Sequence, residues 1–378
     1  MKVLVVPKWY PWPDRPVFGA FCREHARALA TRHDVVVLPS LAIPRPGFAA
    51  FSLEDAVEDG IRTLRVRYRR PFLRPAAMGF QLLGMLAARR RLRREGWRPD
   101  IVHAHVFEAA PPALALGRLD RAPVVVTEHY TGFQRGLVTG YDRTLARLSF
   151  EHADLVAPVS AELAGRLRAL APRAAFEIVP NVVDTAEFAP APAPVAARGG
   201  ARLLNVAALA EKKGHRYLLE ALAELPDATL EIVGDGELRG ELERRARALG
   251  VDDRVRFLGE RPKHEVAELM RAADAFVLPS LAENLPVVLI EAQASGLPAV
   301  ATDVGGVSEL VDEAAGALVS PADPAALAGA IRATLARRLD SAALAARARE
   351  RYGYDAVAAR WTAIYDGLSR RRRRASGG

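Results

Sequence analysis

Both halves of this 378-residue chain repeat one pattern, short β-rich runs alternating with amphipathic helical stretches. In the first half, residues 3–7, 34–39, 61–68, 101–105, 124–129 and 155–159 read as strands. Helical periodicity falls between them at 21–30, 78–94, 143–152 and 161–170. The second half continues with strands at 202–207, 229–234, 255–258, 275–279 and 299–301, and helices at 217–224, 238–249, 263–271 and 288–295. Such alternation demands parallel sheets with helices on both faces. Continuously apolar strands such as Val124-Val-Val126 fit sheets buried on both sides. The expected fold class is α/β, with two Rossmann-like doubly wound domains facing across a cleft.

The halves meet at Ala189-Pro-Ala-Pro-Ala-Pro-Val-Ala-Ala-Arg-Gly-Gly200. Alternating proline cannot enter a central strand or a helix interior, so this segment is expected to be a surface connector. The predicted domains are residues 1–184 and 185–355, followed by a terminal helix and basic tail over 356–378. Doubly wound sheets bind ligands beyond the carboxyl ends of their strands, so the loops there are the default site.

Composition narrows the function classes. A single cysteine, Cys22, excludes a disulfide framework and any cysteine-built cluster within one chain. The opening apolar run ends at Lys8, too short for a secretory signal, and no later run reaches the ~18 residues of a membrane span. The expected location is therefore cytoplasmic. Charge is unevenly divided. Residues 1–189 hold 27 basic and 19 acidic residues, whereas residues 190–378 hold 26 of each. Residues 62–98 alone contain twelve arginines and one acid, Glu95. That window includes Arg89, Arg90, Arg91, Arg93 and Arg94, and Arg370–Arg374 add five charges at the tail. These arginines are expected to form an acceptor or anionic-membrane surface, which makes the protein peripheral at the inner face of the membrane.

The densest motif signal is Pro279-Ser-Leu-Ala-Glu-Asn-Leu-Pro-Val-Val-Leu-Ile-Glu-Ala292. Glu283 falls on a loop after a strand and Glu291 in the helix that follows. Carboxylates so placed accept hydrogen bonds from paired sugar or ribose hydroxyls. The amides of Leu285 and Val287 lie at a helix start, where free N–H groups and the dipole favour phosphate. Lys213 precedes Gly214 in a βα turn, from which an ammonium can meet a departing diphosphate. Gly234-Asp-Gly236 follows a strand and opens a helix, but its next glycine, Gly240, comes one residue late for the dinucleotide fingerprint. His103 and His105 share a strand face. Packing is the expected role, since no carboxylate or third histidine lies at ligand spacing.

With Asn205-Val-Ala-Ala-Leu-Ala-Glu-Lys-Lys-Gly214 and Ile232-Val-Gly-Asp-Gly-Glu-Leu238, this motif closely resembles the family-4 retaining glycosyltransferases of GT-B fold. The likeness extends to Trp9-Tyr-Pro11 with Gly19, Asp100-Ile-Val-His-Ala-His105, Val125-Val-Thr-Glu-His129 and Val179-Pro-Asn-Val-Val-Asp184. It implies a nucleotide-sugar donor (UDP- or GDP-linked) held by the second domain. The acceptor, a glycan or a lipid-linked molecule, belongs to the first. By the same resemblance Glu283 holds the donor sugar, Glu291 the ribose, and Lys213 the diphosphate. Gly19 lets backbone approach the donor phosphate, and His129 lies near the transferred sugar. Gly234, Gly236, Asn284, Leu285 and Val287 complete the donor contacts. The family's arginine, five residues before its lysine, falls here on Ala208, which leaves Lys212, Arg261 or an arginine of the first domain to replace it.

No Asp-x-Asp pair, nucleotide phosphate loop or Gly-x-Ser-x-Gly elbow occurs. Transfer without metal or cofactor is the expectation. A sugar-nucleotide epimerase on the same fold, a dehydrogenase and a basic nucleic-acid binder are the rivals. The last lacks aromatics interleaved with its basic residues, so no nucleic-acid partner is expected.

Overall fold

The computed structural model describes the whole chain except residues 16, 44–49, 71–73, 192–198, 338 and 377–378. Most of the proline–alanine connector therefore lies outside the described residues. The chain divides into two compact units, Met1–Asn181 with Tyr354–Gly378, and Val182–Gly353.

Unit 1 runs β1 (Lys2–Pro7), α1 (Ala20–Ala30), β2 (Asp34–Val37), β3 (Ser40–Ile43), β4 (Phe51–Glu58), β5 (Ile61–Arg69), α2 (Arg74–Arg94), β6 (Ile101–His105), α3 (Ala110–Asp120), β7 (Val124–Glu128), α4 (Gly140–His152), β8 (Leu155–Pro158) and α5 (Ala161–Leu170). Its sheet has the order β3-β5-β2-β1-β6-β7-β8, with β4 added on β5. Every pairing is parallel except β4 with β5. Strands β1, β6 and β7 form the centre, and their valines are almost completely buried. At the chain's end comes a long helix, Tyr354–Ser376, which packs on α1 and completes this unit.

Unit 2 runs β9 (Ala201–Val206), α6 (His215–Ala223), β10 (Ala228–Val233), α7 (Arg239–Ala248), β11 (Val255–Gly259), α8 (Lys263–Ala272), β12 (Ala275–Leu278), α9 (Val287–Ala294), β13 (Ala299–Thr302), β14 (Gly316–Val319), α10 (Pro324–Ala336) and α11 (Ser341–Tyr352). The terminal helix of unit 1 is accordingly α12. The sheet order β11-β10-β9-β12-β13-β14 is parallel throughout, so all carboxyl ends share one edge. Local chemistry fixes the helix starts. The Asp323 and Asp340 carboxylates accept the free N–H groups of Ala326 and of Ala342 and Ala343.

The structure corrects the sequence reading in the basic stretch. Asp59-Gly60, both at positive φ (49° and 77°), closes a two-residue hairpin that places β4 antiparallel to β5. Its acids meet arginines of the basic stretch: Arg62 bonds Asp55 at 2.7 Å, besides Glu95 after α2 at 2.5 Å, and Arg65 bonds Glu58 at 2.6 Å. Arg89 and Arg93 both close on Asp120, which is fully buried, and Arg91 reaches Asp55 at 2.8 Å. Of the five arginines assigned to a free surface, three are thus spent on carboxylates. Arg90 and Arg94 remain exposed.

Candidate functional site

In unit 2 the site forms because β9 and β12 are neighbours, which brings the loops beyond them together. The loop after β9 makes a 3-10 turn, Glu211–Lys213, ended by Gly214 at φ 67°. A Cβ on Gly214 would lie 2.0 Å from the Pro279 carbonyl oxygen, so only glycine permits this approach. The Leu281 N–H donates to the Lys212 carbonyl at 2.7 Å and ties the two loops together. Lys213 and Glu283, seventy positions apart, meet as a result: Nζ donates to Oε1 at 2.5 Å. Ser280 Oγ donates to the same oxygen at 2.8 Å. Glu283 is 6% exposed and Lys213 16%, so the pair is largely withdrawn from water.

Asn284 and Leu285 are buried, and the Asn284 carbonyl accepts the Gly306 N–H at 2.8 Å. Pro286 precedes Val287, the first residue of α9, whose amide is therefore among the unpaired donors of a helix start. Glu291 lies in the second turn of α9 and is 8% exposed, so it is not the solvated first-turn acid that the dipole alone would favour.

Gly234 takes φ 130° and its Cβ would fall 2.1 Å from the Ala207 carbonyl; at Gly236 the clash is 2.5 Å, with Leu209. Close packing against the loop after β9 requires glycine at both positions. Arg261 follows the edge strand β11, three places from β12, and pairs with Glu265 at 3.4 Å. Arg239, which opens α7 beyond β10, stands nearer in strand order and is held by Glu243 at 3.0 Å and Asp235 at 3.6 Å. Sequence reasoning missed it, although an arginine opening the helix after Gly-Asp-Gly is a usable signal.

In unit 1, Gly19 takes φ 70° immediately before α1, and its Cβ would lie 2.3 Å from the Trp9 carbonyl carbon. His129 follows β7. Its Nδ1 shares a hydrogen with Asn181 Oδ1 at 3.0 Å and its Nε2 with His105 Nδ1 at 3.0 Å. His103 and His105 are packed in the interior as expected, but with two further histidines that spacing along the chain did not show. His103 stacks on His105, His105 on His129, and His25 from α1 closes on His105 and His129 with ring centroids 5.2 and 5.3 Å away. Tertiary folding assembles this group from α1, β6 and the end of β7, so spacing along the chain could not disclose it. Burial keeps all four rings neutral, His25 at about 4 and the others well below the usual histidine value. The same burial raises the Glu128 carboxyl to about 7, against the pull of three backbone N–H groups, from Tyr130, Phe107 and His129.

The two units match two family descriptions, Glycosyltransferase Family 4 over residues 19–187 and Glycosyl transferases group 1 over residues 193–351. Glycogen synthase of Mycobacterium tuberculosis is 32% identical over 383 residues, which span 92% of this chain and 89% of that protein. The chain is a family 4 glycosyltransferase. The 2-deoxystreptamine glucosyltransferase of Streptomyces kanamyceticus is 30% identical to this glycosyltransferase over 65% of its chain and 70% of the relative. Among solved structures, Anabaena HepE in complex with UDP-glucose superposes with a TM-score of 0.75 at 20% identity, covering 97% of this chain and all of HepE. Sucrose-phosphate synthase from Thermosynechococcus elongatus gives 0.74 at 21% identity, covering 97% of this glycosyltransferase and 99% of that chain. The fold is GT-B, with two parallel-sheet α/β domains.

Proposed function

We propose that this glycosyltransferase moves a sugar from a UDP- or GDP-sugar to a glycan or lipid-linked acceptor, with retention and without a divalent metal. The carrying observation is the Lys213–Glu283 pair at the carboxyl edge of the unit 2 sheet. Before donor arrives, each charge satisfies the other. A diphosphate draws the ammonium away, and the freed carboxylate turns to the hydroxyls of the sugar. Lys213, the amides of Leu285 and Val287, and the α9 dipole then meet the charge that builds on the leaving diphosphate. The bond from the anomeric carbon to phosphate breaks as the acceptor oxygen attacks on the same face. The acceptor's proton passes to the departing phosphate oxygen. Glu291 takes the ribose, His129 lies beside the transferred sugar, and Gly19, Gly234 and Gly236 admit backbone close to the phosphates. Arg239 supports the diphosphate better than Arg261, because it stands one strand from Lys213. The crystallised complexes of HepE with UDP and UDP-glucose support a uridine donor.

A peripheral station on the cytoplasmic leaflet is part of this reading. It now rests on Arg90, Arg94 and the exposed arginines near the end of α12.

Nucleotide sugars that bind the native state should raise its unfolding temperature, and a screen of UDP-, GDP- and ADP-sugars tests the donor. Glu283→Gln should cost far more turnover than donor affinity, because alignment of the sugar matters most as its bond breaks. Glu291→Gln should mainly weaken nucleotide binding. Equal losses in both variants would remove these roles, and inhibition by EDTA reversed by Mg²⁺ or Mn²⁺ would contradict metal-free transfer.

A further inference from the structure

The histidine cluster of unit 1 contains a group that the transfer reaction does not use. Cys22 of α1 meets His105 and His129, with one donor atom from each residue inside 4.8 Å of the other two. Cys22 and His105 are fully buried, and His129 keeps 9% exposure. His105 Nε2 and, beside it, His25 Nδ1 have no hydrogen-bond partner. Asn181 Oδ1 accepts the proton of His129 Nδ1, which leaves the Nε2 lone pair facing His105. A carbonyl oxygen behind an imidazole is the arrangement that orients a metal-binding histidine.

We propose that Cys22, His105 and His129 form a site for a soft divalent cation of the zinc type, and that an ion there withdraws His129 from the transferred sugar and stops transfer. The second half rests on the placement of His129 given above. One sulfur and two imidazole nitrogens select zinc or cobalt over magnesium and calcium, which need oxygen ligands. Bonds of about 2.0–2.3 Å set tetrahedral ligands roughly 3.4–3.8 Å apart, so the trio must draw in by about 1 Å. His105 Nδ1 and His129 Nε2 stand 3.0 Å apart and share one hydrogen, which must move to the partnerless His105 Nε2 before both lone pairs can meet an ion, and the remaining movement falls to Cys22. Binding exchanges the thiol proton for the ion: the Cys22 S–H bond breaks, a sulfur–metal bond forms, and one proton is released.

The test uses the full chain. After dialysis against micromolar ZnCl₂, metal analysis should find one ion per chain, with one proton released in weakly buffered solution. Cobalt(II) should give a thiolate charge-transfer band in the near ultraviolet that Cys22→Ala abolishes. Zinc should inhibit transfer where magnesium does not. In Cys22→Ala its half-inhibiting concentration should rise at least ~100-fold, since even an outer-shell change costs about 10–100-fold in metal affinity. Cys22→Ser, which preserves the packing volume, should behave like Cys22→Ala and guards against a folding defect. Absence of retained zinc, or affinity unchanged by both variants, would overturn the site. Zinc held by the wild type and lost from the variants, with transfer unimpaired throughout, would leave the site standing and overturn the placement of His129 at the sugar.

Discussion

Replacing Lys213 by alanine leaves the Glu283 carboxylate almost enclosed, with the Ser280 hydroxyl at 2.8 Å as its remaining side-chain donor in this pair of loops. At 2.5 Å the gross attraction in an effective dielectric of about 20 is roughly 7 kcal/mol. Most of that is balanced by the water both groups gave up on folding. Removing one partner of a buried pair costs about 3–5 kcal/mol, and the 16% exposure of Lys213 favours the lower end, about 3 kcal/mol. A domain of the size of Val182–Gly353 loses roughly 2–4 °C per kcal/mol, so its unfolding should fall by about 6–12 °C. The double variant Lys213→Ala, Glu283→Gln carries no stranded charge and should recover at least half of the loss. Differential scanning calorimetry of the two single variants, the double variant and the wild type closes the cycle. Turnover should fall by roughly 3–4 kcal/mol of transition-state stabilisation in Lys213→Ala, as for loss of one oxyanion donor. If Lys213→Ala unfolds at the wild-type temperature and the double variant adds nothing, the pair is not a buried charge couple and the exchange of partners on donor binding has no basis.

Acid should loosen unit 1. His25 has its folded value lowered to about 4 from 6.5, so between those limits the unfolded chain holds more protons and stability rises with pH. The span corresponds to about 3 kcal/mol, lost as pH falls from 6.5 towards 4, and His25→Phe should flatten the dependence of the unfolding temperature on pH over that window; parallel curves for the two proteins would refute it. At low ionic strength the protein should sediment with vesicles containing anionic lipid, and removal of Arg370–Arg374 should weaken this more than Arg89→Gln, whose guanidinium already faces Asp120. Indifference of the wild type to such vesicles would point to a soluble acceptor.

The strand–helix alternation was legible because each central strand is a short apolar run and each helix has one buried face. The boundaries agree within a few residues at β6, β7, α4, β8 and α5 and from β9 through β13, whereas α3, between β6 and β7, was not read. Strands β3, β4 and β14 were not legible. Phe51–Glu58 alternates exposed and half-buried residues and carries three acids, so it reads as loop until pairing with β5 supplies counter-charges. Helices α10 and α11 are alanine-rich with weak apolar stripes, and their aspartate caps are the clearer signals. Glu283 and Lys213 stand out in the sequence because each sits in a motif that follows a strand, but their pairing across seventy positions does not. Cys22, His25 and Asn181 do not stand out, since what unites them with His105 and His129 is proximity across α1 and the sheet. Net charge misled for a related reason, because a window along the chain cannot see Asp120 or the acids of β4.

Helix α12 follows the second unit along the chain but belongs to the first. Trp361 and Tyr365 of α12 are fully buried there, stacked on each other and set against His103, whose Nδ1 bonds the tyrosine hydroxyl at 2.6 Å. On the ribosome, Val182–Gly353 can therefore close as a complete unit while the earlier half still lacks one wall. Until α12 arrives, His103 lacks both the Tyr365 hydroxyl and the Trp361 ring, and a chain released before that helix would carry a finished second unit and an unfinished first.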